Sequence, residues 1–253
     1  MSQTLKFLVG REHDGQINNN KSCYFVKNGT MILLNCGKGV VDALRRTKAL
    51  VGVKDVFIVI TLSNKEHLYD LKKLIEVLKK LNIKAKILES VSLDKSLLKK
   101  MKINEDDDYQ LLEPLQNNIK WVNFLAVPHT NKKLSCPVEL YLDDKKIFYG
   151  GDCGIIPFAI ENYDEYYFDF GDMQEEYYLD VEDIKRLVKK NKIKKSQLWL
   201  VHLQNMQALQ NAQKIGMRIA QEEERKITQI AKKTEAKVKI ESKPKEKTQD
   251  AEK

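Results

Sequence analysis

The sequence predicts an α/β fold, and two observations carry that prediction. Val56-Phe57-Ile58-Val59-Ile60 is an unbroken β-branched and aromatic run, the composition of a strand buried on both faces. Polarity then flips through Thr61, Ser63, Asn64, Lys65, Glu66 and His67, after which Leu68, Leu71, Leu74, Ile75 and Leu78 recur at helical spacing. A buried strand that ends in a polar loop and opens a helix is the unit of α/β proteins, and its loop is where they usually place chemistry.

The 253 residues suffice for one large α/β domain or two small ones with a real core. No apolar run approaches the roughly 20 residues that a membrane-spanning helix needs. MSQTLKFLVG has no basic segment leading into a signal-peptide core. Cys23, Cys36, Cys136 and Cys153 show no CxxC spacing, so neither a disulfide framework nor a cysteine zinc site is indicated, and a reduced cytoplasm is expected. The net charge of +8 points to nucleic acid or another polyanion as one partner class. The plainer reading is a solvated surface on which Lys is mixed with Glu and Asp.

In chain order, residues 4–9 read as a first strand, followed by a polar stretch from Gly10 to Lys21. Strands are expected at 22–27 and 30–35, joined at Asn28-Gly29, a strong hairpin-turn signal. Cys36-Gly37-Lys38-Gly39 leads into a helix over 40–49 and is too short for a phosphate-binding loop. After the central strand and helix come a strand at 85–88 and a helix near 93–101. Residues 102–118, with Glu105-Asp106-Asp107-Asp108, lack the spacing of a calcium loop and read as a solvated connection. Strands follow at 119–128, 137–142 and 145–150, with Asp143-Asp144 as the turn between the last two. A short helix at 156–161, a strand at 165–169, a helix at 180–190, a strand at 197–202 and a helix over 205–214, extending toward Ile219, complete the pattern. No internal repeat is visible. From about Gln221 large apolar residues almost vanish, so residues 1–220 form the domain, and 221–253 are expected to be a frayed helix and disordered tail.

Three of the four histidines each follow an apolar strand: His67, His129 and His202. Asp152 follows another, flanked by glycines. Strand ends on one edge of a sheet converge, so these side chains are candidates to surround one metal ion.

The chain resembles the metallo-β-lactamase fold superfamily of hydrolases. That family's metal loop, T-H-x-H-x-D-H, aligns with Thr61-Leu62-Ser63-Asn64-Lys65-Glu66-His67. Its later ligands match His129, Asp152 in Tyr149-Gly150-Gly151-Asp152, and His202, and its L-L-x-D-x-G hairpin is echoed by Leu33-Leu34-Asn35-Cys36-Gly37. The resemblance spans about 4–215 and is nearest to the ribonuclease Z-like and cyclic-nucleotide phosphodiesterase branch. It implies a four-layer αββα sandwich, a phosphodiester, nucleotide or RNA substrate, and a homodimer.

The departures bear on mechanism. Leu62 and Asn64 stand where the resemblance implies two loop histidines, and leucine has no lone pair to offer. The first metal position keeps only His129 and a share of Asp152. The second keeps Glu66, His67, Asp152 and His202, which implies one divalent ion at most, zinc or manganese. Asp152 would orient a hydroxide and Lys65 would supply positive charge; only His13 is left over as a leaving-group acid. Three readings stay open: a divergent phosphodiesterase-like hydrolase; a non-catalytic protein of the same fold that binds a nucleotide, RNA or a protein partner; and an α/β domain whose His and Asp placements are coincidental.

Overall fold

The computed structural model describes residues 3–8, 22–128, 134–153, 156–170, 179–201, 210, 212 and 216–220. The first half of the chain builds one six-stranded sheet from β1 (Lys6–Phe7), β2 (Cys23–Lys27), β3 (Thr30–Leu34), β4 (Asp55–Val59), β5 (Ala85–Leu88) and β6 (Tyr109–Leu112), side by side in that order. The first three pair antiparallel, and β3 to β6 pair parallel. Asn28 and Gly29 have φ of 51° and 77°, the left-handed pair that a tight hairpin turn requires. Helices α1 (Val40–Arg46), α3 (Leu71–Lys80) and α4 (Lys95–Lys100) make the crossovers, and the single turn α2 (Lys65–Leu68) precedes α3.

The second half repeats this scheme. β7 (Val122–Phe124), β10 (Val138–Leu142) and β11 (Lys145–Tyr149) pair antiparallel. β12 (Glu165–Asp169), β13 (Leu198–Val201) and β14 (Arg218–Ile219) then add in parallel, with α5 (Val181–Lys190) between β12 and β13. The strands β8 (Val127–Pro128) and β9 (Leu134–Ser135) form a separate ribbon.

Side chains alternate along a strand, so a strand buried on both faces feeds two cores. Met31 and Leu33 of β3, with Val56 and Ile58 of β4, pack against α1, α3 and α4. Ile32, Leu34 and Val59 point the other way and meet Val138, Leu140, Ile147 and Tyr149 of the second sheet. Phe148, Tyr166, Phe168 and Leu200 form a third core layer with Ile184 of α5. Helices, sheet, sheet and helix are thus stacked as a four-layer αββα sandwich. No helix among the described residues is long and apolar enough to cross a membrane.

Several expectations are corrected. β6 lies inside the stretch read as a solvated connection; Tyr109 and Leu112 are buried, and the acidic run beside them masked a short edge strand. Residues 156–161 form no helix: the Ile160 N–H donates instead to Asn191 Oδ1 (3.0 Å), at the C-terminal end of α5. The 119–128 strand is broken into β7 and β8, and β14 replaces the end of the last expected helix. Most of 205–214, and all of 221–253, lie outside the described residues.

Candidate functional site

The site lies where the two sheets' strand ends meet. β3 ends at Leu34, and Asn35 follows in the left-handed region with φ of 59°. Its amide grips the loop after β4: Thr61 N–H donates to Asn35 Oδ1, and Asn35 Nδ2 donates to Thr61 Oγ1, both at 3.0 Å. The Thr61 carbonyl accepts from Cys136 N–H (2.8 Å), which joins the first sheet to the approach to β10. Ser63 Oγ accepts from Asp94 N–H (2.9 Å) at the start of α4. Asn64 caps α2, its Oδ1 accepting from His67 N–H at 2.9 Å. The loop after β4 is therefore fixed by its own polar side chains.

Opposite this loop, β11 runs out into Gly150, Gly151 and Asp152. Gly151 has φ of 55°, and a Cβ there would stand 3.4 Å from Thr61 Oγ1, in ordinary contact, so the backbone lies beside the first sheet's loop. This approach brings Asp152 to His67. Nε2 lies 3.1 Å from Asp152 Oδ2, and both side chains are buried. The contact lacks hydrogen-bond geometry, and both ring nitrogens of His67 are without a hydrogen-bond partner among the described residues.

Of the other sequence-predicted residues, Lys65 and Glu66 are exposed on α2, so Glu66 does not join the buried pair. Positions 129 and 202 lie outside the described residues; β8 and β13, ending at Pro128 and Val201, lead directly to them. Leu62 is buried, yet it belongs to none of the three apolar layers. It occupies the polar edge where the resemblance implies a histidine.

One buried carboxylate was missed. Asp169 ends β12, two strand positions beyond the level of Tyr149, and is 2% exposed. Burial pushes the Tyr149 hydroxyl well up, and Asp169 and Asp152 add to that rise. Burial likewise raises the Cys153 thiol; its hydrogen bond to Ser135 Oγ opposes the shift, while Asp152 and Asp169 reinforce it. Burial thus favours the protonated form of both groups. The signal was available: Tyr166-Tyr167-Phe168-Asp169 is an apolar strand ending in a carboxylate, the same pattern that singled out Asp152.

The His67–Asp152 pair suits a divalent ion in part. Nitrogen and oxygen donors each about 2.0–2.2 Å from a tetrahedral zinc lie about 3.3–3.6 Å apart across one edge of its coordination shell. The observed 3.1 Å is slightly shorter than that spacing, so a small separation of the pair would admit an ion. No group of three His, Cys, Asp or Glu side chains suited to a metal occurs among the described residues, so further ligands would have to come from outside them.

No family model matches the chain, and no curated protein matches it in sequence. Among solved structures it is similar to the metallo-β-lactamase fold protein YhfI from Bacillus subtilis, at 14% identity over 83% of this chain and 89% of that one, with a TM-score of 0.62. It is similar to a diphosphatase of the PhnP family, at 14% identity over 83% of this chain and 85% of that one, TM-score 0.61. It is also similar to the short form of human tRNase Z, at 15% identity over 86% of this chain and 96% of that one, TM-score 0.57. Together with the layer order and the duplicated sheet scheme, these likenesses show that the chain has the metallo-β-lactamase fold.

Proposed function

We propose that the chain is a divergent metal-dependent hydrolase that cleaves phosphoesters with one divalent ion, zinc or manganese. His67, Asp152 and His202 would hold that ion. The observation that carries the reading is the buried His67–Asp152 contact, close to ligand-to-ligand spacing, on an edge built from both sheets. The limit of one ion is supported by Leu62, which has no donor atom, and by Asn64, whose oxygen is taken by the α2 cap. Two fold neighbours, a diphosphatase and a tRNase Z, support a phosphorus-centred substrate.

When bound, the ion would polarise a phosphoryl oxygen and lower the pKa of a water molecule. Asp152 would orient the attacking oxygen and accept its proton. Lys65, exposed at the start of α2, would pair with the substrate phosphate as a point charge. His129 would be a further candidate donor.

Metal analysis of untagged protein tests this reading. About one zinc or manganese per chain is expected, falling to near zero in both His67→Ala and Asp152→Ala, with hydrolysis of a chromogenic phosphodiester lost in parallel. A second reading, a non-catalytic binding protein of the same fold, is favoured by the same Leu62 and Asn64. Absence of bound metal after incubation with excess zinc and manganese would select it.

A further inference from the structure

The strongest charged feature lies on α5 and the turn after it, away from the strand-end edge, and its reading does not depend on the single-ion hydrolase. Segment 185–195, KRLVKKNKIKK, holds seven cations and no carboxylate, against a net charge of +8 for the whole chain. No other stretch of eleven residues holds so many cations without a carboxylate.

The structure sorts these residues cleanly. Ile184 and Ile193 are buried, and Leu187 and Val188 pack on the core layer between α5 and the second sheet. Every Lys and Arg of the segment is exposed. Lys185 and Arg186 pair with Glu182 (2.7 Å) and Asp183 (2.5 Å) at the helix start. Lys189, Lys190 and Lys192 make no ion pair with any described residue. On α3, by contrast, Glu76 lies within one turn of four lysines, and Lys73 and Lys79 also reach Asp42 (3.0 Å) and Asp108 (2.5 Å).

Lys185 with Lys189, and Arg186 with Lys190, are like-charged neighbours at i,i+4, an arrangement that destabilises a helix. The helix dipole favours Lys189 and Lys190 in the last turn but gives no reason for Lys192, Lys194 and Lys195 beyond it. A protein partner would need an apolar or aromatic anchor at the centre of the face. A membrane-surface helix would need exposed Trp, Phe or Leu. Among the described residues no exposed large hydrophobic side chain lies on α5 or in 191–197, and the cavity beside α5, floored by Ile156, Leu179 and Leu187, is rimmed by Arg186, Lys189 and Lys190. A row of lysines without an anchor is complementary to a chain of phosphates.

We propose that this face binds a single-stranded nucleic acid through its phosphate backbone, without reading its sequence. The experiment is fluorescence anisotropy with a labelled oligouridine of about 20 nucleotides, using the full chain in EDTA so that no metal-dependent step contributes. The test variant is Lys189→Glu/Lys190→Glu/Lys192→Glu. The control, Lys72→Glu/Lys73→Glu/Lys80→Glu on α3, changes net charge by the same amount. At about 50 mM salt the α5 variant is expected to bind at least about tenfold more weakly, and its slope of log affinity against log salt to flatten by about 2. The α3 control should stay within about threefold of the unaltered chain. Lys189→Gln/Lys190→Gln/Lys192→Gln should fall between, with all variants retaining the parent far-UV circular dichroism. Equal weakening by the α5 and α3 variants would overturn the proposal, reducing it to net charge. No binding by the unaltered chain, or binding only to vesicles of phosphatidylserine and phosphatidylcholine, would overturn it as well. Because EDTA is present throughout, neither result bears on whether His67 and Asp152 hold an ion.

Discussion

Asn64 fixes the turn that carries His67, its side-chain oxygen accepting from His67 N–H. Asn64→Ala removes the cap and should cost about 1 kcal/mol, lowering the melting temperature by about 2–4 °C. Asn64→Asp keeps an acceptor and should melt close to the parent. Equal melting temperatures for all three would show that the cap does not hold α2. At this scale the sequence was partly legible. His67 and Asp152 were marked by their places after apolar strands, and the structure brings them together. Asp169 carried the same mark without being singled out. Glu66 could not be placed from sequence, because the side on which α2 meets the core depends on packing rather than on local letters. The polar letters Thr61, Ser63 and Asn64 marked a loop placed for chemistry, and each of them holds a structural hydrogen bond.

Among the elements, β12 is anchored by a charge. Glu165 at its start accepts from Thr4 N–H (2.9 Å), Thr4 Oγ1 (2.7 Å), Lys145 Nζ (2.6 Å) and the Tyr167 hydroxyl (2.5 Å). It thereby ties the lead into β1 to both β11 and β12. Burial alone would raise its carboxyl pKa, but the bonds from Lys145, Tyr167 and Thr4 outweigh it and hold the group below the ordinary glutamate value. A folded-state pKa below the unfolded one stabilises the fold at pH values above the unfolded pKa, about 4.3. That contribution is lost as pH falls through the folded value. Glu165→Gln should therefore cost about 1–3 kcal/mol at pH 7 and much less near pH 3, read from urea unfolding at both. A cost that is unchanged at pH 3 would assign the loss to packing instead of ionisation. Elements were legible where a strand alternates or is apolar throughout, as in β3 and β4. They were illegible where two or four residues pair at a sheet edge, as in β6 and β14, since edge pairing depends on a neighbour that local sequence does not name.

The whole molecule places its site on a seam. Two sheets share one pairing scheme, three antiparallel strands followed by three parallel ones, although the sequence shows no repeat. Pairing constrains only which positions are apolar, so the scheme can recur while the letters differ; the four-layer stack was therefore readable through family resemblance and not through periodicity. The seam closes at Gly151, whose backbone lies against Thr61 with φ of 55°. Gly52 offers a direct comparison: its φ is 75°, and nothing lies within 4 Å of the position a Cβ would take. Alanine at either site incurs left-handed strain of about 1–2 kcal/mol. Only at Gly151 does the added methyl also touch the opposing loop, at 3.4 Å from Thr61 Oγ1. Both variants should lose similar stability in urea, whereas only Gly151→Ala should weaken zinc or manganese uptake, by about tenfold or more for a displacement that parts Asp152 from His67. If Gly52→Ala weakens uptake equally, metal binding follows global stability and the seam has no special part in it. If Gly151→Ala leaves uptake intact, the His67–Asp152 pair is held by the loops on either side, independently of how closely the two sheets approach.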